Sequence, residues 1–445
     1  MNRRLGVLLG AALVLPVVFA APPAGSYPLD GVERTGIRRL TGYSNAHGAP
    51  GGAKLPAGAL LGTEDVHLQL ADAGSGWDLA GVPRDPALQA ALDSIFTARD
   101  PSYAVAVVDI TDPDAIVWAG RREDVTQAPG SVGKILCLVA LFDGLRRAFP
   151  DPDQRLRVLR ETEVEAGDWV LVDEHKVPSF DPATGRNQFS IIQPGERFRL
   201  SEWVDHMVSA SANAAGATVW KEAILLRHFG SAYPPTRADE AAFFRNTPKL
   251  ELQRLSQIVI DEPLAAAGID LDKIQQGSMW TRTGKAHIPG LPSFASPREL
   301  VRILLRLEQG RLVDSWSSLE VKRFLYMTRR RYRYVFAPEL AGAAVYFKSG
   351  SLYQCKPEEG FRCGKYRGNA KNYMNSVVIM ETPASSGVGQ KRYLVALLSN
   401  VLRVNSAWDH ARIGAAIDEA VRTRRATVVR DQGSEAQQIE AGRGD

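Results

Sequence analysis

The apolar positions of the chain change their spacing several times, and each change marks a boundary. Residues 5–20, "LGVLLGAALVLPVVFA", are almost continuously apolar. From 21 to about 83 apolar residues thin out among Gly, Pro and Ala, as in "HGAPGGAKLPAGALLG" (47–62), which reads as an extension or linker with little core of its own. Helical spacing begins at "DPALQAALDSIFTA" (85–98), and two strand-like runs follow, "YAVAVVDI" (103–110) and "AIVWAGR" (115–121), joined by the turn "TDPD" as a hairpin. A long helix is expected from Ser131 to about Arg147, and 150–200 mixes short strands with turns. "LSEWVDHMV" (200–208) reads as a helix with Ser201 as its N-cap, 214–275 as mainly helical, and "SPRELVRILLRLEQG" (296–310) as a helix capped by Ser296 and closed by Gly310. The last third turns strand-like at 342–353, 372–381 and 392–400. It then gives an amphipathic helix over 407–424 with Ile413, Ala416, Ile417 and Ala420 on one face, and a polar tail over 426–445 expected to be disordered.

Strands at both ends with helices between them predict an α+β domain over 84–425, in which one antiparallel five-stranded sheet joins the ends and a helical subdomain lies beside it. At 445 residues with 45% hydrophobic and 23% charged positions, the chain can bury one large core or two modest ones. A formal charge of +4 and no basic stripe interleaved with aromatics argue against nucleic acid. The densest basic run, "TRRRYRY" (328–334), reads as a solvated helix end or turn.

Residues 1–20 have the form of a signal peptide: "MNRR", then the apolar run broken by Pro16, then Val18-Phe19-Ala20 before Ala21. The run falls short of the ~20 residues of a spanning helix. An exported chain, periplasmic or secreted, is therefore expected, with no membrane span after the leader is removed. Of the three cysteines, Cys355 and Cys363 can close the turn "CKPEEGFRC" as a disulfide in an oxidising compartment, and Cys137 reads as a small buried hydrophobe. The seven histidines give no metal-ligand spacing, and His206 reads as packed or half-exposed.

Three stretches carry candidate chemistry. In "APGSVGKILCLVA" (128–140), Ser131 and Lys134 stand three apart at a helix start, where hydroxyl and amine are neighbours and free N–H groups can hold an oxyanion. The apolar surroundings depress a lysine's pKa, which makes it a base for the hydroxyl. In "SASANAAG" (209–216), Ser211 and Asn213 can project from a short loop into one cleft, the hydroxyl relaying a proton and the amide holding substrate and lysine. In "YFKSGS" (346–351), Lys348 and Ser349 at a strand end can bind a carboxylate, Gly350 admits the substrate backbone, and the N–H of Ser351 can complete an oxyanion hole. A second such stretch, "TRTG" (281–284), has Arg282 for the lysine and no strand context.

Ser-x-x-Lys, Ser-x-Asn and Lys-Ser-Gly in this order resemble the motif triplet of the serine β-lactamase and penicillin-binding protein superfamily, and class A β-lactamases most closely. "ASPRELVRILLRL" (295–307) resembles a later helix of that family, and the resemblance covers about 85–424. It implies Ser131 as acylated nucleophile, Lys134 as its activating partner and Ser211 as proton shuttle. Asn213 would contact substrate and lysine, Lys348, Ser349 and Gly350 would line the carboxylate site, and the N–H groups of Ser131 and Ser351 would form the oxyanion hole. No metal or organic cofactor is implied. The implied partner is a small-molecule β-lactam or a peptidoglycan stem peptide, taken by a monomeric chain. Class A-like hydrolysis of β-lactam amides stands beside a D-Ala-D-Ala carboxypeptidase or transpeptidase, and beside a penicillin-binding sensor module that does not turn over. The chain departs from the family in four ways. Ala212 stands inside Ser-x-Asn, Ser349 stands for the threonine of Lys-Thr-Gly, long insertions separate the motifs, and no Glu-x-x-Leu-Asn loop is found. Glu262 is the nearest acid but reads as helix, and "GSMWTRTGKAHIPGLPS" (277–293) holds no carboxylate.

Overall fold

A computed structural model describes residues 58, 61, 63–181, 186–326, 333–382 and 390–441. The leader over 1–20 and the greater part of the extension lie outside the described residues, so the signal peptide has no structural counterpart here. Among the described residues no helix is long and apolar enough to cross a membrane.

The first helix, α1 (Pro86–Phe96), starts where Asp85 accepts the N–H of Leu88 and Pro86 fills the first turn; Leu88, Leu92 and Phe96 make its buried face. Strands β1 (Ala104–Asp109) and β2 (Val117–Arg121) form the expected hairpin. They join β9 (Ala344–Gln354), β10 (Lys371–Glu381) and β11 (Arg392–Asn400) in one antiparallel sheet of order β2-β1-β11-β10-β9. The two ends of the chain thus meet at β1 and β11, with Val107 opposite Val395. The sheet is covered on both faces, which is why β1 reads as an unbroken apolar run. Val105 and Val107 pack toward α1 and the last helix, whereas Ala106 and Val108 join the larger core on the other side.

That larger core is the helical block. At its centre runs α2 (Lys134–Ala148), buried on nearly every side and mostly apolar, with Lys134 and Asp143 as the charged residues in its buried run. Around it stand α3 (Pro152–Glu161), two short strand pairs of inserted chain, then α4 (Leu200–Val208) and α5 (Asn213–Phe229). The inserted strands are β3 (Glu163–Glu165), β4 (Lys176–Asp181), β5 (Arg186–Ile191) and β6 (Arg197–Arg199), paired β3 with β6 and β4 with β5. Then come α6 (Arg237–Asn246), α7 (Lys249–Ala266), β7 (Ile274–Gln275), α8 (Arg282–His287), β8 (Phe294–Ala295), α9 (Pro297–Glu308) and α10 (Ser315–Tyr326). Ser296 caps α9 as expected, accepting from Glu299 N–H. Ser201 does not cap α4, because the helix starts one residue earlier, at Leu200, and Glu202 turns back to accept the N–H of Arg199.

Three further expectations are revised. The later part of the extension is not bare linker: Val66, Leu70 and Leu79 belong to the main core, and Asp78 pairs with Arg302 and Arg306 on α9. Leu70 is fully buried and its N–H donates to Glu308 C=O, so Leu70→Ala is expected to cost about 2–5 kcal/mol of stability in denaturant unfolding. An unchanged midpoint would show this segment to be outside the cooperative core. The end of the basic run is not solvated, since Arg333 and Tyr334 are buried. The last helix, α11 (Ala407–Ala441), continues well past Arg424, through a tail rich in helix-forming Ala, Glu, Gln and Arg. Cys355 and Cys363 are joined by a disulfide, their Cα atoms 6.1 Å apart, beyond the end of β9.

Candidate active site

Ser131 does not sit inside a regular helix. It lies in a tight 3-10 turn, Gly130–Gly133, and α2 begins only at Lys134. The glycines on either side disfavour helix, so the expected start at Ser131 moves by one turn. Ser131 is half-buried, at the mouth, and Lys134 is fully buried below it. Lys134 Nζ lies 3.2 Å from Ser131 Oγ and donates to the C=O of Ser211 at 2.7 Å and to Asn213 Oδ1 at 2.9 Å. Burial pulls its ammonium down to about 7, against the opposing charge of Asp173. Cys137, one turn further along α2, is a buried free cysteine whose thiol burial pushes well up, so it stays a neutral packing group.

Ser211 and Asn213 reach the same cleft because the segment between α4 and α5 is very short. Ser211 takes a left-handed conformation (φ 62°), and Asn213 is already the first residue of α5. Ser211 thereby turns its carbonyl to Lys134 and its hydroxyl to Lys348, whose Nζ donates to Ser211 Oγ at 2.8 Å and to Ser349 C=O at 2.9 Å. Ser211 thus links the two lysines, through its carbonyl to Lys134 and through its hydroxyl to Lys348.

Strand β9 brings the third motif against the first. A Cβ on Gly350 would lie 2.2 Å from Pro129 O and 3.0 Å from Ser131 N. One on Gly130 (φ 56°) would lie 2.8 Å from Ser351 N. Only glycine lets the turn and the strand approach so closely, and this sets the backbone of Ser131 against Gly350 and that of Ser351 against Gly130. Ser349 is buried and sits opposite Ser376 on β10. The structure therefore gathers Ser131, Lys134, Ser211, Asn213, Lys348, Ser349, Gly350 and Ser351 into one cleft between the sheet and the helical block. "TRTG" lies apart as the start of α8, with Thr281 as N-cap. His206 is buried with its ring against Phe198, and its carbonyl accepts the N–H of Ala212 between Ser211 and Asn213. Glu262 is on the surface of α7, paired with Arg227 and Arg147.

Sequence reasoning missed four residues. Trp280, in the stretch without carboxylates, lays its ring over Lys134, the Nζ 5.2 Å from the ring centroid. Gln276, nearby, has a buried amide oxygen with no hydrogen-bond partner among the described residues. Arg333 donates to Gly350 C=O at 2.6 Å and holds the strand from behind. Asp173 is buried, and its Oδ2 accepts the N–H of Ala214 in the first turn of α5. No local spacing signals any of these contacts; each spans elements far apart in sequence.

A model of the "Beta-lactamase enzyme family" matches residues 87–361, well over half of the chain. No curated protein matches it. Among solved structures, a class A beta-lactamase from Bacteroides cellulosilyticus shares 15% identity over 76% of this chain and 98% of that one, with a TM-score of 0.49. PBP-A shares 13% over 76% of this chain and 96% of that one, with a TM-score of 0.47. A beta-lactamase from Sphaerobacter thermophilus shares 15% over 75% and 94%, with a TM-score of 0.45.

Proposed function

The chain belongs to the beta-lactamase enzyme family, and from that premise we propose that it is an exported serine hydrolase that acts on β-lactam amides through an acyl ester on Ser131. The observation that carries this reading is the buried amine of Lys134, whose Nζ is placed on Ser131 Oγ and on the Ser211 carbonyl and Asn213 amide together. In its neutral form Lys134 takes the Ser131 proton as Oγ attacks the lactam carbonyl. The oxyanion that forms is held by the N–H groups of Ser131 and Ser351, and Lys348 with Ser349 receives the substrate carboxylate. When the C–N bond breaks, Ser211 gives its hydroxyl proton to the departing nitrogen and is reprotonated by the proton that Lys134 took from Ser131, so that Lys134 returns to its neutral form and the acyl group remains as an ester on Ser131.

Removing that ester requires a water and a base. Trp280 covers Lys134, and the 277–293 stretch offers no carboxylate. This favours a second reading on the same chemistry, a D-Ala-D-Ala peptidase in which a penicilloyl ester persists. A chromogenic cephalosporin separates the two. We expect a burst near one equivalent of enzyme, followed by turnover slower than about 1 s⁻¹, below the ordinary range for enzymes. Many rapid turnovers would favour the β-lactamase outright, a burst with no turnover the peptidase, and no burst and no turnover would remove both.

A further inference from the structure

Helix α5 carries Asn213 at its first position, and its N-cap residue is Ala212, which has no side-chain acceptor for the first N–H groups. The acceptor comes from elsewhere. Asp173, in the chain between α3 and β4, places Oδ2 2.8 Å from the N–H of Ala214. Its carboxylate thus lies at the positive end of the α5 dipole. The other oxygen, Oδ1, accepts the N–H of His175 at 3.0 Å and meets His175 Nδ1 at 2.6 Å, which fixes the carboxylate from its solvent side. Burial pushes the Asp173 carboxyl up, but the bonds from the His175 side chain and from the Ala214 and His175 N–H groups outweigh this and keep it below the usual carboxylate range. It is therefore an anion at neutral pH.

We propose that Asp173 is a positioning residue of this site: its carboxylate supplies the cap that Ala212 lacks, holds Asn213 and the Ser211 carbonyl on Lys134, and biases the proton equilibrium of that lysine. The proposal rests on the reading above, in which neutral Lys134 is the base. Several groups face Lys134. Ser131 comes from the turn before α2, Ser211 and Asn213 from the start of α5, and the Trp280 ring from the stretch before α8. The charge that acts on it is that of Asp173, since the Cys137 thiol on its own helix stays neutral; α3, α4, α5, α7 and α10 also pack on α2 and bring no further charge to it among the described residues. The second amine of the cleft, Lys348, is bonded to Ser211 Oγ and Ser349 C=O. The titratable group that meets Asp173 itself is His175.

Removing an anion beside an ammonium disfavours the ammonium, so loss of the Asp173 charge lowers the pH at which Lys134 becomes neutral. Asp173→Asn keeps an acceptor for Ala214 and removes the charge, whereas Asp173→Ala removes both. The full-length chain is labelled with 13C-lysine, the Lys134 signal is identified by its loss in Lys134→Arg, and its titration is followed by NMR. Acylation by benzylpenicillin is measured across the same pH range. In Asp173→Asn we expect the Lys134 midpoint to fall by about one pH unit, so that at pH 6 the variant runs at roughly a fivefold larger fraction of its own plateau than the wild type. Asp173→Ala is expected to show the same shift and a plateau roughly tenfold lower, because Asn213 is no longer held. A Lys134 midpoint identical in wild type and Asp173→Asn overturns the proposal, even if both variants melt earlier. Absence of acylation in the wild type would instead overturn the proposed function, and the NMR titration would still decide the role of Asp173.

Discussion

Ser131→Ala is expected to lose covalent labelling by benzylpenicillin completely, a fall of at least ~10⁴ in acylation rate, with stability within about 1 kcal/mol of the wild type. The reason lies in how little else Ser131 does. It is half-buried in a short turn, its side chain hydrogen-bonds only Lys134 Nζ, at 3.2 Å, among the described residues, and it takes no part in either hydrophobic core. The turn itself is set by Gly130 and by contact with β9, neither of which the substitution touches. Quantifying labelled protein by fluorescent penicillin, beside a thermal melt, checks both halves. Equal labelling of variant and wild type would place the reactive group elsewhere.

Lys134→Met comes next in size, with acylation expected to fall by about 10³, in the range that loss of a general base gives. Methionine fills most of the same volume beneath the Trp280 ring but has no proton acceptor of useful strength. In the wild type the pH dependence has a definite sign. Neutral amine is the working form, and burial brings its pKa down to about 7 from the ordinary 10.5. Acylation should therefore rise about tenfold per pH unit below 7 and level off above about 8. The variant should show no such limb. A wild-type rate that is flat between pH 5 and 8 would mean that Lys134 is not the base.

The sheet and the helical block were legible because their signals are local. The hairpin at 103–121 and the runs over 342–400 announce strands, and two plus three strands at opposite ends of the chain can only meet in one sheet. The motif residues were legible for the same reason, each pair standing within three positions. What brings the motifs together was not. Ser211 serves both lysines only because its backbone turns left-handed, and the approach of Gly350 to Ser131 depends on β9 lying against the turn. The missing carboxylate over 277–293 could be read as an absence, but not that an indole covers Lys134 in that region. Asp173 was hidden in an insertion that reads only as mixed strands and turns, because a helix cap supplied by a distant segment leaves no pattern at the helix itself. The extension misled for a related reason. Its Gly and Pro content describes a chain without regular structure, and Val66, Leu70 and Leu79 show that such a chain can still be core.

The central claim is that Ser131 carries the acyl group. Incubating the full chain with benzylpenicillin, quenching in acid, and mapping the digested protein by mass spectrometry tests it most directly. The account predicts one penicilloyl adduct per chain, on the peptide that contains Ser131, and none on the same peptide from Ser131→Ala. An adduct on another residue, or an unmodified wild-type chain at saturating penicillin, would contradict it.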